Sequence, residues 1–195
     1  MAYTTRQSLL KGILDQNEDA WRDFYNFYKP LSRIILRRRG LPESELDDLH
    51  QMVMVDLFKK GCVERYQKER GRFRVYLQKI IHNKCCDLMT RILKEKAKQE
   101  GLEEKLCLEW FEEEEPQEQW EKVWQEFLNG KALEILRQEV SEQQYMIFDL
   151  YALQQLPVKD VSKILKVSEN QVYLAKSRLT DRLVKIMQQL EDESL

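Results

Sequence analysis

Apolar residues recur at helical spacing along almost all of this 195-residue chain, and this pattern limits the fold more than any other feature. Glycine and proline occur only six and four times, and they fall mostly at breaks between the periodic segments. No segment shows the period-two alternation between turns that is typical of strands. We therefore expect an all-α protein. The expected helices are 4–15, 18–39, 43–60, 72–98, 117–128, 131–139, 142–154, 158–165 and 169–190.

The chain is nearly neutral as a whole, with 34 acidic and 32 basic residues, but its charge is unevenly distributed. Residues 1–98 hold 21 basic and 13 acidic side chains, a net charge of +8. Residues 99–130 hold 2 basic and 11 acidic side chains, a net charge of −9. Residues 131–195 hold 9 and 10, a net charge of −1. The slightly acidic total therefore does not exclude a nucleic-acid-binding segment.

The acidic middle segment is typical of a linker, because it contains the run Glu112–Glu115 followed by proline. Three tryptophans in or beside it indicate that it docks rather than moving freely: Trp110, Trp120 and Trp124. We predict two small helical domains, residues 1–98 and 131–195, joined by an acidic linker at 99–130. A further hypothesis is that Glu112–Glu115 cover the basic domain in the free protein and screen it from nonspecific DNA.

The sequence lacks the motifs of several functional classes. It has no glycine-rich phosphate-binding loop, no G-x-S-x-G turn and only two histidines, so we expect neither an enzyme nor a cofactor. The four cysteines form no CxxC pair, and His82-x-x-Cys85 alone has a ligand-like spacing, so we expect no metal site. The absence of a long apolar run and of a leader pattern predicts a cytoplasmic protein without membrane contact.

The sharpest motif is a pair of helices near the C-terminus. The first carries Val161, Ile164 and Leu165 on one face, and small Ser162 lies where a second helix would cross closely. The second begins after Ser168 and has a buried stripe of Val172, Ala175, Leu179, Leu183 and Ile186. Two helices joined by a short turn form a helix-turn-helix, and the second helix of such a motif enters the major groove of DNA.

The outward face of that second helix carries residue types that read DNA. Asparagine and glutamine can pair with adenine edges, and arginine neutralises phosphate. The candidate DNA-binding residues on this helix are Asn170, Gln171, Tyr173, Ser177 and Arg178. The small net charge of this segment predicts a modest affinity for DNA on its own.

A second candidate DNA surface follows one flank of helix 72–98, directly after the basic loop Arg65–Arg74. Residues three or four positions apart place an aromatic ring, an amide and cations on this flank: Tyr76, Lys79, Asn83, Asp87, Arg91 and Lys94. Rings stack bases, cations hold phosphates and an amide reads an exposed base edge, as opened DNA requires. The candidate DNA-binding residues here are Tyr76, Lys79, Asn83 and Arg91.

Helix 43–60 has more than one kind of surface. The acids of its first turn, Asp47 and Asp48, suit the positive end of the helix dipole. The run Met52–Val55 makes the helix apolar over more than one face. We therefore expect this helix to contact both its own core and a partner protein.

These motifs together resemble the sigma factors of bacterial RNA polymerase, in particular the short two-domain extracytoplasmic-function (ECF) group of the sigma-70 family. The segment Asp48–Gln51 is similar to the D-x-x-Q core-binding motif of that family. The segments Phe73–Leu77 and Asn83–Arg91 resemble its F-x-x-W-L and N-x-x-x-D-x-x-x-R stretch. The resemblance covers roughly residues 18–98 and 118–187.

Three residues depart from the family pattern. Tyr76 replaces the usual tryptophan, Gln171 replaces a common threonine, and Lys166 replaces the glycine of the turn. These departures bear on the promoter sequence more than on the function.

The resemblance implies a protein that binds core RNA polymerase and directs promoter-specific initiation. The residues that would face the clamp helices of the largest polymerase subunit are Asp47, Asp48 and Gln51. The flap of the polymerase would be a further contact. Asn83, with the loop Tyr66–Arg74, would capture a flipped base of the minus-ten element and help to open the promoter. The helix from Ser168 would read the minus-35 element as duplex. An anti-sigma protein stays open as a further partner.

Two other interpretations also stay open. A stand-alone helix-turn-helix regulator would act as a dimer that reads two half-sites, with the N-terminal half serving dimerisation or effector binding. A protein-binding scaffold or an inactive sigma-like regulator would engage a basic partner through the acidic segment. The Asp48–Gln51 motif and the Asn83 flank favour the sigma factor, because a repressor has no need of them.

Overall fold

The computed structural model describes residues 6–59, 63, 66, 72–100 and 117–192. Within these ranges the regular elements are helices without a strand, which confirms the all-α expectation. The helices are α1 (Arg6–Leu14), α2 (Glu18–Arg38), α3 (Leu46–Lys59), α4 (Phe73–Glu100), α5 (Gln117–Glu139), α6 (Glu142–Phe148), α7 (Val158–Leu165) and α8 (Glu169–Asp192). A 3₁₀ turn at Glu43–Glu45 precedes α3, and a π-helical turn at Asp149–Leu153 follows α6. None of the described helices is long and apolar enough to cross a membrane.

The chain forms two compact units, which divide between Phe127 and Leu128. Unit 1 contains α1 to α4 and the first part of α5, and unit 2 contains the rest of α5 with α6 to α8. The division lies inside α5, towards the end of the predicted linker. Residues 101–116 of that linker, with Trp110 and Glu112–Glu115, lie outside the described residues.

The core of unit 1 is formed by the apolar faces of α2, α3 and α4. α2 begins after Asn17, whose side chain accepts hydrogen bonds from the backbone N–H groups of Asp19 and Ala20. The buried side chains on these helices include Phe24, Leu31, Leu36, Leu49, Val53, Leu57, Leu77, Ile81 and Leu88. Because α3 packs against both α2 and α4, its outer face remains at the surface of the unit.

α5 is one continuous helix, so the prediction of two helices, 117–128 and 131–139, was wrong. Gly130 does not break it, because a glycine inside a helix costs only about 1 kcal/mol relative to alanine. The burial of Leu128 and Ala132 on either side outweighs that cost. In the first part of α5, Trp120 and Trp124 are fully buried, as expected for a tryptophan-bearing segment that docks.

Unit 2 surrounds a small apolar cluster made by Ile147, Val161, Val172 and Ala175. Ile164 does not join it and is 58% exposed, so its predicted place on the buried face of α7 was wrong. Val161 and Leu165 face the cluster. At about 100° per residue, position 164 points roughly 80° away from their common direction.

Candidate nucleic-acid interface

One flank of α4 carries the residues that were predicted to bind opened DNA. Lys79 and Asn83 are exposed on this flank. Tyr76 is half-buried, with its ring centroid 6.3 Å from that of Phe73 and 6.1 Å from that of Tyr66. The flank therefore combines an aromatic ring, which packs against two other rings, with an exposed amide and an exposed cation.

Arg91 lies further along α4 in a different environment. Its Nη2 atom is 2.9 Å from Glu45 Oε2 and 3.0 Å from Asp48 Oδ2. The hydrogen bond with Asp48 raises the pKa of Arg91 above its ordinary value. In sequence, Arg91 and Asp48 belong to separate predicted sites, one for DNA and one for polymerase. The structure brings them together because α3 and α4 pack side by side.

The first turn and outer face of α3 present acids beside apolar side chains. Asp47 Oδ1 lies 2.7 Å from Lys29 Nζ, and this hydrogen bond lowers the pKa of Asp47. Gln51 is exposed one turn later, and Val55 and Phe58 are 38% and 58% exposed. A helix that exposes such side chains while burying its opposite face offers a surface suited to a partner protein.

A cleft of about 290 Å³ is lined by residues of α3 and α4, namely Asp48, Gln51, Met52, Val55, Asp56 and Lys84. Lys84 Nζ lies 3.0 Å from Asp56 Oδ2 and 2.7 Å from Asp87 Oδ2, and only 13% of the Lys84 side chain is exposed. Sequence reasoning missed Lys84 as a residue of this surface. The spacing of three to Asp87 was a local signal, but the second carboxylate belongs to another helix.

His50 lies inside the D-x-x-Q motif but is fully buried. Its Nε2 is 3.0 Å from the carbonyl oxygen of Tyr25, and its Nδ1 is 2.9 Å from Ser32 Oγ. A carbonyl only accepts, so Nε2 carries the proton and Nδ1 accepts from the hydroxyl. Burial lowers the pKa of His50 to about 4. The neutral ring therefore ties α2 to α3 at the centre of the motif.

His82 and Cys85, the pair with a ligand-like spacing, both lie on α4. Arg39 Nη2 lies 2.7 Å from His82 Nδ1, and Cys86 Sγ lies 3.7 Å from His82 Nε2, while Cys85 is buried. Among the described residues, no group of three or more His, Cys, Asp or Glu side chains is placed to hold a metal ion.

Two arginines of unit 1 are paired with acids of α5, and one of them, Arg74, ends the basic loop that was predicted to help to capture a base. Arg74 Nη2 lies 2.8 Å from Glu121 Oε1, and Arg38 Nη2 lies 2.8 Å from Glu126 Oε2. The Arg74 guanidinium also lies 5.8 Å from the ring centroid of Trp124. Sequence reasoning missed both pairs, since their partners are 47 and 88 residues apart.

In unit 2, α8 exposes all five candidate residues, Asn170, Gln171, Tyr173, Ser177 and Arg178. The ring of Tyr173 meets that of Tyr151 edge-on, at 5.7 Å and 82°. Gln171 Oε1 accepts hydrogen bonds from the backbone N–H of Ser168 at 2.8 Å and from its hydroxyl at 3.1 Å. This cap uses the oxygen that bidentate recognition of adenine requires, so Gln171 is the weakest of the five candidates.

Three residues, Lys166–Ser168, join α7 to α8. Lys166 has φ 54° and ψ 44°, the left-handed conformation that glycine adopts most easily. The lysine thus takes the backbone geometry of the missing turn glycine, at a cost of about 1 kcal/mol. The hydroxyl of Ser162 donates to the carbonyl of Val167 and helps to close the turn.

Residues 24–94 match the family model of Sigma-70 region 2. This match supports the interpretation of the chain as a sigma factor of the sigma-70 family. The matched part runs from α2 to α4 and contains every N-terminal candidate residue: Asp47, Asp48, Gln51, Tyr76, Lys79, Asn83 and Arg91. The candidates on α8 lie outside the region 2 match. A comparison with curated proteins gave no match.

Proposed function

We propose that this chain is a sigma factor of the ECF group, which binds core RNA polymerase and directs promoter-specific transcription initiation. The observation that carries the proposal is that the Sigma-70 region 2 match contains two different exposed surfaces on adjacent helices. The face of α3 suits a protein partner, and the flank of α4 suits opened DNA. A chain with this function has no catalytic activity of its own and acts in the cytoplasm.

The α3 face is the proposed polymerase contact. Asp47, Asp48 and Gln51 supply charge and hydrogen-bonding groups for the clamp helices. The exposed side chains of Val55 and Phe58 supply apolar area beside them, and interfaces commonly place an apolar centre next to a polar rim. Since Arg91 is paired with Asp48, we assign Arg91 to positioning that acid rather than to DNA.

The α4 flank is the proposed minus-ten contact. A base flipped out of the duplex stacks on Tyr76, whose ring is supported by Phe73. The exposed amide of Asn83 reads the edge of that base, and Lys79 neutralises a phosphate. Each of these groups contributes little binding energy alone, so promoter opening depends on the polymerase holding the DNA in place.

The pair α7 and α8 is the proposed helix-turn-helix for the minus-35 element. The exposed side chains of Asn170, Tyr173 and Ser177 would lie in the major groove, and Arg178 would neutralise a phosphate. Residues 131–195 carry nearly balanced charge, which supports only weak binding alone. Tethering both DNA contacts on one polymerase raises their effective concentration and compensates for this weakness.

Run-off transcription from a candidate promoter, using core polymerase and the full chain, tests the proposal. Asn83→Ala should lower run-off product by roughly tenfold, since a good base contact contributes about 1–3 kcal/mol, and should leave core binding unchanged. Asp48→Ala should instead weaken binding to core polymerase. Matched controls are Asn129→Ala and Asp15→Ala, which remove an exposed amide and an exposed acid elsewhere.

The outcomes separate the competing functions. No binding to core polymerase contradicts the sigma-factor proposal. A stable homodimer that binds duplex DNA without polymerase identifies the stand-alone regulator. Binding to core without initiation from any promoter identifies the scaffold.

A further inference from the structure

The first part of α5 carries two acids that each hold an arginine of unit 1. Glu121 pairs with Arg74 in the first turn of α4, and Glu126 pairs with Arg38 at the end of α2. The two acids are five residues apart, about 7.5 Å along the helix axis. One short stretch of α5 therefore neutralises two cations that are far apart in sequence.

Aromatic packing holds this stretch in place independently of its charges. Trp120, Trp124 and Phe127 are at most 1% exposed. The ring of Phe127 stacks on Tyr28 at 6.0 Å and 17°, and it meets Phe27 edge-on at 5.4 Å. Burial of three large rings stabilises far more than an exposed ion pair does. The acids are therefore held beside the arginines whether or not they pair with them.

The ion pairs themselves are open to competition from another anion. In the Arg38–Glu126 pair, 39% of the arginine and 54% of the acid side chain are exposed. In the Arg74–Glu121 pair the values are 13% and 38%. In both pairs the acid is more exposed than the arginine. Partly exposed ion pairs contribute little net stability, so a phosphate group can take the place of either carboxylate without undocking α5.

The position of Arg74 identifies DNA as the competing anion. Arg74 lies two residues before Tyr76, the proposed stacking platform, and two residues after the exposed Arg72. Residues 1–98 carry a net charge of +8. A strongly basic segment of this kind binds nucleic acid nonspecifically unless its cations are neutralised.

We propose that Glu121 and Glu126 are built-in counterions, which neutralise Arg74 and Arg38 in the free protein and lower its affinity for DNA phosphates. When the polymerase tethers the promoter, its phosphates replace the two carboxylates. This inference rests on the proposed function for the identity of the ligand. It differs from the hypothesis that Glu112–Glu115 cover the basic domain, because the acids proposed here lie on α5, which the aromatic rings keep docked throughout.

The test measures the binding of the full chain, without polymerase, to a fluorescein-labelled oligothymidylate by anisotropy from ~50 to ~200 mM KCl. Glu121→Gln and Glu126→Gln should each tighten binding by roughly twofold to fivefold at the lowest salt. The double variant should have a salt slope steeper by about 1.4, since each added phosphate contact on a single strand contributes about 0.7. The control is Glu118→Gln, which removes an exposed acid one turn earlier on the same helix.

Adding the change to an Arg38→Gln background shows whether the arginine is responsible. Glu126→Gln should then produce no gain, because the cation that it would release is gone. A gain that persists without Arg38, or a Glu118→Gln effect equal to that of Glu121→Gln and Glu126→Gln, overturns the inference. Tryptophan emission of each variant reports whether Trp120 and Trp124 remain buried, and a red shift that accounts for the gain also overturns it.

The same proteins separate this inference from the proposed function. If run-off transcription with core polymerase succeeds while the acid variants bind DNA as the wild type does, the sigma-factor proposal stands and the counterion inference fails. If the acid variants bind more tightly but no core-dependent transcription occurs, the inference stands and the sigma-factor proposal fails.

Discussion

His50 is buried between α2 and α3, where both of its ring nitrogens have hydrogen-bond partners. The arrangement suits the neutral ring, because Nδ1 accepts from the hydroxyl of Ser32. A proton added to Nδ1 would face a hydroxyl that has to turn away, in a site that water does not reach. Burial therefore lowers the pKa of His50 to about 4.

We expect the protein to lose stability as the pH falls from about 6.5 to about 4. The unfolded chain protonates His50 near pH 6.5, whereas the folded chain does so only near 4. The unfolded state thus binds more protons in this window, and lowering the pH favours it. Above the unfolded pKa this contribution is complete. The expected loss from His50 is about 3 kcal/mol.

Urea unfolding of the wild type and of His50→Gln across this pH range measures the effect. The variant should be less stable at pH 7, because it disturbs the bonds to Ser32 and Tyr25, but its stability should fall less steeply with acid. Equal pH dependence in the two proteins would show that His50 does not titrate as stated.

Among the helices, α5 shows how packing extends an element through an unfavourable residue. Gly130 has helical conformation inside it, and an added Cβ there would meet nothing within 4 Å among the described atoms. Gly40 is equally open but has a φ of +67°, in the turn after α2. The two glycines thus differ in backbone conformation and not in available space.

Gly130→Ala is expected to stabilise the protein by about 0.5–1 kcal/mol, because alanine loses less conformational entropy in a helix. Gly40→Ala is expected to destabilise it by about 1 kcal/mol, since a side chain disfavours the left-handed conformation. Thermal unfolding followed by circular dichroism checks both. Destabilisation by Gly130→Ala would contradict the open helical site at that position.

The division of the chain into two units places the first part of α5 with unit 1. The region 2 match ends at residue 94, and the predicted domain ends at residue 98. Residues beyond both limits nevertheless pack against the aromatic side chains of α2. Phe127 covers the rings of Phe27 and Tyr28. A segment outside the family match is therefore part of the core of this unit.

A chain that ends at residue 127 should unfold cooperatively, whereas one that ends at residue 98 should be less stable by several kcal/mol. The shorter chain loses the buried rings of Trp120, Trp124 and Phe127 and exposes the surface beneath them, at about 25 cal/mol per Å² of apolar area. Near-ultraviolet circular dichroism during thermal unfolding compares the two. Equal midpoints would show that α5 contributes nothing to unit 1.

The sequence alone determined the helical class and the local features that depend on neighbouring residues. Helical spacing located most helices. The segments Ser141–Gln144 and Ser168–Gln171 have the S-x-x-Q spacing of a capping box, and both form one. The motif residues Asp48, Gln51 and Asn83 could also be selected from the sequence, because each belongs to a motif whose residues have a fixed spacing within a single helix. Local patterns of this kind need no knowledge of the tertiary fold.

Only the tertiary structure decided which charges and rings meet across helices. It joined Arg91 to Asp48, Arg74 to Glu121 and Arg38 to Glu126, and it carried α5 through Gly130. Periodicity reports which face of a helix is apolar, but not which helix covers that face. Pairing of side chains more than 40 residues apart depends on how the helices pack, and the functional meaning of these arginines follows from that packing.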